Sequence, residues 1–338
     1  MIDMNQKYFR LAPDLNICRI VNGMWQVAGG HGNIDRESAL ADMIRYHEAG
    51  FTTWDLADIY GPAEDFIGEF RNRLSKLKGI KELDNIQSFT KWVPQPNRIT
   101  QSMVQSSIES SLSRMHVSSL DLLQFHWWDY NNPYYMDALK YLSDLKDTGS
   151  IRHLALTNFD TEHLQMIIDS DIQIASNQIQ FSIIDRRPEV KMISFCKEHN
   201  ISLLAYGSIC GGLLSERYVG RKEPSAIELD TLSLRKYKRM IDTWGGWNLF
   251  QNLLLTLNDV AKKHNVSIAN VATNYILAKP TVAGVIIGVR LGIVDHLGEN
   301  ANVFTFNLDD SDRDSIDAIC EKSNDLFEVI GDCGDEYR

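Results

Sequence analysis

The chain has 338 residues, in which 34 lysines and arginines face 45 aspartates and glutamates, so its net charge is −11 at neutral pH. An acidic balance of this size argues against a general nucleic-acid-binding protein, which would carry a clustered basic face. With 44% hydrophobic and 23% charged residues, the composition is typical of a globular protein. The longest weakly polar stretch, 201–214, is too short to span a membrane.

Targeting and redox signals are weak. The N-terminal segment has no apolar core behind a basic start, so we expect no secretion signal and a cytoplasmic protein. The cysteines show neither a disulfide framework nor metal-site spacing, so we expect reduced thiols and no bound metal. They are Cys18, Cys196, Cys210, Cys320 and Cys333. We also expect the acidic final segment, GDCGDEYR, to be a solvated end.

Short apolar runs alternate with amphipathic segments along the chain. The runs predict strands at 17–26, 52–56, 86–92, 120–126, 151–157, 174–179, 201–206 and 282–289. Predicted helices begin at or just after Asp35, Thr100, Pro133, Pro188 and Ser267, and two more cover 248–264 and 310–323. Regular alternation of this kind predicts parallel strands joined by helical crossovers.

Two α/β architectures fit this alternation, an open doubly wound sheet and a closed barrel. An open dinucleotide-binding sheet would show GxGxxG at its first helix, but the nearest candidate, 30–35, lacks the third glycine. Eight units at near-regular spacing favour one (β/α)8 TIM barrel domain over 1–338, with a core at about 17–306 and a C-terminal helix and tail over 307–338. The long region between strands at 206–282 predicts an insertion after the seventh strand, either a surface excursion or a loop that covers a ligand.

Polar residues stand where four of the predicted strands end. They are Asp55, Lys91, His126 and Asn158, and Tyr60 follows Asp55 in the next loop. In a barrel these strand ends face one cavity. There, an Asp55-held Lys91 would lower the pKa of Tyr60, which would exchange a proton with a carbonyl oriented by His126. Because no side chain supplies hydride, carbonyl reduction at such a site needs a redox cofactor.

These residues resemble the aldo-keto reductase family, (β/α)8 enzymes that move hydride between a nicotinamide cofactor and a carbonyl or alcohol. The segment GFTTWDLADIYGPAE is similar to the family signature around its catalytic Asp and Tyr, and FTKW and LLQFHWW are similar to the segments around its Lys and His. The resemblance covers about 23–306. It implies an oxidoreductase whose catalytic residues are Asp55, Tyr60, Lys91 and His126.

The resemblance also implies NADP(H) as the cofactor. Tyr206 corresponds to the aromatic ring on which the nicotinamide stacks, and Asn158 and Gln178 correspond to ligands of its carboxamide. Arg290 corresponds to a 2′-phosphate ligand, since a guanidinium offers paired donors to phosphate, although this segment is two residues longer than in many members. The full implied set is Gly23, Met24, Trp25, Asp55, Thr157, Asn158, Gln178, Tyr206, Gly207, Ser208, Gly212, Leu213, Gly288, Arg290, His296, Glu299 and Asn300.

The substrate implied is a small carbonyl compound or alcohol, either apolar, planar or sugar-like. Its implied contacts are Trp25, Tyr60, His126, Trp127 and Trp128. The two tryptophans after His126 depart from the family's usual residues, and they either shape the pocket or pack in the core. The direction of the reaction and the oligomeric state stay open.

Two other interpretations use the same barrel. One is a nicotinamide-binding regulatory subunit similar to the β-subunits of potassium channels, with little turnover. The other is an aldolase that forms a Schiff base on Lys91, which leaves Tyr60, Asn158 and Tyr206 unexplained as a group.

Overall fold

The structure is a computed structural model and describes residues 4–29 and 34–337. Eight parallel strands close into a barrel in which neighbours follow chain order, with the last strand pairing with the first. The predicted (β/α)8 architecture is confirmed. In chain order the strands are β1 (Tyr8–Ala12), β2 (Leu15–Cys18), β3 (Ile20–Gly23), β4 (Thr53–Asp55), β5 (Gln87–Trp92), β6 (Leu122–Phe125), β7 (Leu154–Thr157), β8 (Ser176–Gln180), β9 (Ser202–Tyr206) and β10 (Val282–Gly288), of which β3 to β10 form the barrel.

The antiparallel hairpin of β1 and β2 packs against the amino-terminal part of the barrel interior. Its Leu11, Leu15 and Ile17 form one buried cluster with inward-facing strand residues such as Phe89. Because side chains alternate along a strand, Lys91 points to the same interior as Phe89 but lies nearer the carboxyl end. The apolar layer is therefore at one end of the barrel and the polar layer at the other.

Helices surround the barrel and begin largely where capping residues predict. The side chains of Asp35, Thr100 and Ser267 each accept a hydrogen bond from the N–H three residues further on. In the described part of the chain, no helix has both the length and the apolar character required to cross a bilayer. The helices are α1 (Met4–Lys7), α2 (Arg36–Glu48), α3 (Ala63–Lys78), α4 (Gln101–Met115), α5 (Tyr134–Asp147), α6 (Thr161–Ile168), α7 (Met192–Glu198), α8 (Leu232–Trp244), α9 (Gly246–His264), α10 (Ile268–Leu277), α11 (Leu297–Asn302), α12 (Asp310–Cys320) and α13 (Leu326–Ile330).

Two predicted elements need correction, and several helices were not predicted. The run 17–26 is not one strand, because Cys18 ends the hairpin, β3 stops at Gly23 and 25–28 form a 3-10 turn. A continuous apolar run cannot reveal that its two halves join different sheets. The helix expected from Pro188 begins only at α7, after a short 3-10 turn. The structure also contains α1, α3, α6, α11 and α13, which were not predicted from the sequence pattern.

The insertion after the seventh barrel strand contains α8 and α9. Trp244 and Trp247 are buried in the main core, and the Tyr237 hydroxyl lies against the backbone at Gly207, directly after β9. The insertion therefore packs against the carboxyl end of the barrel.

The final segment is not a solvated end. Cys333 is buried, and the Glu336 carboxylate forms a buried ion pair with Arg187 at 2.9 Å. All five cysteines are buried free thiols. The acidic composition of this segment does not indicate that the fold places a buried arginine as its ion-pair partner.

Candidate active site

Two charged side chains lie buried side by side at the carboxyl end of the barrel. Asp55 ends β4 and Lys91 belongs to β5, and Lys91 Nζ lies 2.6 Å from Asp55 Oδ2. The side chain of Asp55 is 4% exposed and that of Lys91 is 5% exposed. Lys91 also donates to the carbonyl of Leu56 at 2.9 Å. Burial lowers the pKa of Lys91, although the charge of Asp55 opposes that effect. The two residues form a fixed pair with little net charge.

Two amides hold the other oxygen of the carboxylate. Asp55 Oδ1 accepts hydrogen bonds from Nε2 of Gln124 at 2.9 Å and of Gln178 at 2.7 Å. Both glutamines are buried, so the carboxylate is held in one orientation. Gln124 is absent from the predicted site, yet it lies two residues before His126, and the period-two alternation of β6 could have indicated it.

Tyr60 packs against this pair. Lys91 Nζ lies 5.0 Å from the centroid of the Tyr60 ring, and the Trp25 indole contacts the ring edge-on with centroids 4.9 Å apart. Burial raises the pKa of Tyr60 well above its ordinary value, and the charge of Asp55 raises it further. The expected lowering by Lys91 is wrong, because Asp55 offsets the ammonium and desolvation penalises the phenolate. Tyr60 is therefore a protonated phenol at neutral pH.

His126 follows β6 and is buried beside Trp128. Its Nδ1 lies 3.1 Å from the carbonyl oxygen of Thr157, and because a carbonyl only accepts, Nδ1 carries a hydrogen. Trp128 packs edge-on against the imidazole, with centroids 4.3 Å apart and an interplanar angle of 89°. An aromatic wall thus stands next to the histidine.

Trp127 does not belong to that wall. It is fully buried, and its indole N–H donates to the carbonyls of Asp129 at 2.8 Å and Asn132 at 3.0 Å. Alternation explains the difference, since Trp127 points away from the side that His126 and Trp128 share. For Trp127 the expected substrate contact is replaced by core packing.

The structure brings Asn158 and Tyr206 into contact. The Tyr206 hydroxyl donates to Asn158 Oδ1 at 2.7 Å. Asn158 has a φ of 58°, in the left-handed region that few non-glycine residues adopt. Its backbone N–H donates to the Gln178 carbonyl at 2.8 Å, and Thr157 Oγ1 donates to the same oxygen at 3.1 Å. Four predicted cofactor positions therefore lie together at the ends of three strands.

The loop after β9 is shaped by glycine. Gly207 has a φ of 77°, and a Cβ there would lie 2.5 Å from the Tyr237 hydroxyl, whereas Gly212 has a φ of 100° with no neighbour within 4 Å of such a Cβ. Ser208 Oγ is buried and finds no hydrogen-bond partner among the described residues. Leu213 is fully buried in the core, so only its backbone can serve a ligand.

The turn after β3 lies next to the end of β10. Gly23 pairs with Asp55 on one side and with Gly288 on the other, and the N–H of the fully buried Met24 donates to the Asp55 carbonyl at 2.9 Å. Gln26, outside the predicted site, covers Gly288, where a Cβ would lie 1.9 Å from its Nε2. A Cβ at Gly288 would therefore have to displace the amide of Gln26, which is the flexible end of that side chain.

The segment after β10 provides the remaining predicted residues. Asn300 is buried in α11, and its Nδ2 has no partner within the described ranges. The Glu299 carboxylate accepts a hydrogen bond from Ser267 Oγ. Burial lowers the pKa of His296, Glu299 opposes this shift, and Arg290 adds to it. Arg290 is exposed.

Two side chains reach this site without having been assigned to it. Lys236 of α8 lies with Nζ 5.1 Å from the Tyr206 ring centroid, and the Tyr337 hydroxyl lies 3.1 Å from the Tyr206 hydroxyl. No periodicity or motif indicates either of them, because they meet Tyr206 through the tertiary fold alone.

The sequence profile described as "Aldo/keto reductase family" matches residues 19–321. This chain belongs to that family. It is thus an aldo-keto reductase, a class of oxidoreductase, as the resemblance of its motifs implied.

Its relatives are distant but extend over most of the chain. It is 20% identical over 319 residues to the NADH-specific methylglyoxal reductase of Escherichia coli, covering 88% of this chain and 93% of that protein. It is 23% identical over 318 residues to the aldo-keto reductase yakc [NADP(+)] of Schizosaccharomyces pombe, covering 89% of this chain and 86% of that protein. These two relatives are named for different dinucleotides.

A solved structure shares the fold. The glycerol dehydrogenase AKR11B4 from Gluconobacter oxydans superposes with a TM-score of 0.76 at 21% identity, covering 97% of this chain and 98% of that one. This similarity shows that the two proteins share the same arrangement of strands and helices.

Proposed function

We propose that this aldo-keto reductase reduces the carbonyl group of a small aldehyde or ketone with NADPH, and that Tyr60 donates the proton. The observation that carries the proposal is the buried Lys91–Asp55 pair packed against the Tyr60 ring. The pair lies at the carboxyl end of the barrel, where active sites of TIM barrels lie, and a buried ion pair in such a place is a candidate for function.

The protonation state of Tyr60 supports the direction of proton transfer. A phenol whose pKa lies well above its ordinary value is protonated at neutral pH and can give its proton to a developing alkoxide. Lys91 and Asp55 act by orienting the phenol and by keeping a positive charge beside its ring, 5.0 Å from the centroid, while the oxygen loses its proton.

His126 and Trp128 support a position for the carbonyl compound. The imidazole is fixed through Nδ1 by the Thr157 carbonyl, so we assign its other nitrogen, Nε2, to orienting a carbonyl oxygen. To donate a hydrogen bond from Nε2, the ring must carry hydrogen on both nitrogens. Trp128 offers a flat apolar surface beside the imidazole, which suits a planar or apolar substrate.

The described residues fit a dinucleotide. Ser208 Oγ and Asn300 Nδ2 are buried polar atoms with no protein partner in the described ranges, as expected of groups that bind a polar ligand. Asn158 and Tyr206 would hold the nicotinamide end, and the backbone of the glycine-containing loop 207–212 would hold the pyrophosphate. When bound, the reduced nicotinamide supplies the hydride.

The exposed Arg290 supports NADPH rather than NADH. Its guanidinium lies close enough to His296 to lower the pKa of that ring, at the end of the site where the adenosine phosphate is expected. A 2′-phosphate gains charge-assisted hydrogen bonds from arginine, which a 2′-hydroxyl does not.

The test is NADPH oxidation by the purified chain with an activated aromatic aldehyde, run beside Tyr60→Phe. We expect the variant to lose activity by about a hundredfold or more, the range for removal of a general acid, while its Kd for NADPH, followed by tryptophan fluorescence, changes little.

Tyr141→Phe provides the matched control. Tyr141 lies on α5, outside the barrel, so the same loss of a hydroxyl should leave turnover unchanged. Retention of full activity by Tyr60→Phe, or loss of NADPH binding in that variant, would overturn the role of Tyr60. A wild-type chain that binds NADPH but reduces no carbonyl would overturn the proposed reaction.

A further inference from the structure

The C-terminal tail, residues 331–337, folds back over the mouth of the barrel. Glu336 and Cys333 are buried, and the Asp332 carboxylate accepts a hydrogen bond from the N–H of Thr161 at 3.0 Å. A segment with so many acidic residues would be solvated unless specific partners received it. The fold supplies those partners.

The tail is anchored by Arg187. Both guanidinium edges are engaged, because Nε and Nη2 each donate to Asp185 at 2.8 Å, while Nη1 donates to the Asp332 carbonyl at 3.0 Å and pairs with Glu336 at 2.9 Å. Arg187 is 1% exposed in its side chain. Burial would raise the pKa of Glu336, but Arg187 and Lys236 outweigh it and hold that pKa below its ordinary value. Glu336 is thus a buried carboxylate in a prepared site.

The tip of the tail lies against the groups proposed to bind the nicotinamide and the carbonyl. The Tyr337 hydroxyl accepts a hydrogen bond from Lys236 and lies 3.1 Å from the Tyr206 hydroxyl. The Tyr337 ring is edge-on to His126 and Trp128, with centroids 6.3 Å and 6.5 Å away. Tyr337 therefore lies between the Tyr206 side and the His126 side of the site.

The tail also resembles a dinucleotide in its chemistry. It presents the Tyr337 phenol to Tyr206 and the Glu336 carboxylate to Arg187 and Lys236, whereas a nicotinamide dinucleotide presents an aromatic ring and phosphates. A second ring cannot enter the space between Tyr206 and His126 while Tyr337 is there, since packed atoms exclude one another.

We propose that the C-terminal tail is an intramolecular inhibitor, which holds Tyr337 in the nicotinamide end of the site and must leave before the dinucleotide binds. The inference rests on the proposed function, because it requires that Tyr206 and Asn158 receive a nicotinamide. Tail docking lowers the fraction of molecules that are competent to bind, and the apparent Kd rises in proportion. Lys236, released from Tyr337, is then free to face the incoming phosphates.

The first test follows the tail of the wild-type chain directly. A carboxypeptidase of broad specificity is applied with and without NADPH, and removal of Tyr337 is timed by mass spectrometry, while tryptophan fluorescence in the same sample reports NADPH binding. We expect saturating NADPH to speed removal by about tenfold, since a displaced tail is exposed. Slower or unchanged removal with NADPH bound would overturn the proposal and would make the tail a wall that closes over the cofactor.

The second test weakens docking in the full-length chain. Glu336→Gln and Tyr337→Ala should each lower the Kd for NADPH by about tenfold, and a peptide with the sequence of residues 331–338 should restore inhibition of Tyr337→Ala in competition with NADPH. Glu328→Gln makes the same charge change at an exposed position of α13 and should leave the Kd unchanged.

The outcomes separate this inference from the proposed function. Weaker NADPH binding in both variants, or an altered KM for the carbonyl at unchanged Kd for NADPH, would overturn inhibition by the tail while leaving the reductase intact. If neither the wild-type chain nor either variant binds NADPH, the proposed function fails and the inference fails with it. Binding by Tyr337→Ala alone would be the strongest support.

Discussion

Lys91 Nζ and Asp55 Oδ2 lie 2.6 Å apart inside the barrel, and neither side chain is more than 5% exposed. Each would be costly to bury alone, because an isolated charge loses its hydration. As a pair they offset one another, and the two glutamine amides on Asp55 Oδ1 fix the geometry. The arrangement holds the Lys91 ammonium 5.0 Å from the centroid of the Tyr60 ring.

Breaking this pair from one side should destabilise the fold. We expect Asp55→Asn to reduce the free energy of unfolding in urea by about 3–5 kcal/mol, the range for leaving a buried charge unpaired. Lys91→Met should also destabilise, and the double variant should lose less than the sum of the two single losses. Strictly additive losses would mean that the two residues do not stabilise one another. All three variants should lose carbonyl reduction.

Asp58 should make stability depend on pH between about 4 and 6. Burial raises the pKa of its carboxyl to about 6, although the N–H of Val93 opposes the shift, and its Oδ1 has no partner in the described part of the chain. Because the folded pKa exceeds the unfolded one, the folded state binds the extra proton. This contribution to stability is present below the unfolded value near 4 and is lost as the pH rises through about 6.

Asp58→Asn should therefore flatten that dependence and raise the free energy of unfolding at neutral pH, by up to about 3 kcal/mol for a shift of this size. Urea unfolding across this pH range measures it. Asp84→Asn, at an exposed position, serves as the control and should follow the wild type. If the free energy of unfolding of Asp58→Asn fell with pH as steeply as that of the wild type, the prediction would be contradicted.

Gly68 marks a close approach of α3 to the end of α4. A Cβ there would lie 2.2 Å from the backbone oxygen of Arg114, which cannot move as a side chain would. We expect Gly68→Ala to reduce the free energy of unfolding by about 1–3 kcal/mol through overpacking. Gly298→Ala, in α11 with open space around its Cβ, should instead be neutral or stabilising by about 0.4–1 kcal/mol. Equal effects at the two sites would refute the packing argument.

Arg290 should decide between the two dinucleotides. Arg290→Ala should raise the Kd for NADPH about tenfold or more, the loss expected for a charged hydrogen bond, and leave the Kd for NADH nearly unchanged. Lys322→Ala removes one positive charge at an exposed position after α12 and should affect neither. Equal weakening of NADPH and NADH in Arg290→Ala would place the 2′-phosphate elsewhere.

The sequence by itself determined the barrel and the order of the residues around its mouth. Alternating apolar runs and helices repeat within short stretches of chain, so local periodicity is enough to predict β4 to β10 and to place Asp55, Lys91 and His126 at strand ends. Alternation also contained the signal for Gln124, and the helical spacing of Phe66, Phe70 and Leu74 contained that for α3.

The tertiary structure decided what those residues touch. The pKa of Tyr60 rises because burial and Asp55 act on it together, and no spacing along the chain reports burial. Tyr337 meets Tyr206 across 131 residues of sequence, and Trp127 turns from the expected pocket into the core. Local pattern fixes which side of a strand a residue occupies, whereas ion pairs, desolvation and the docking of the tail depend on segments that only the closed fold brings together.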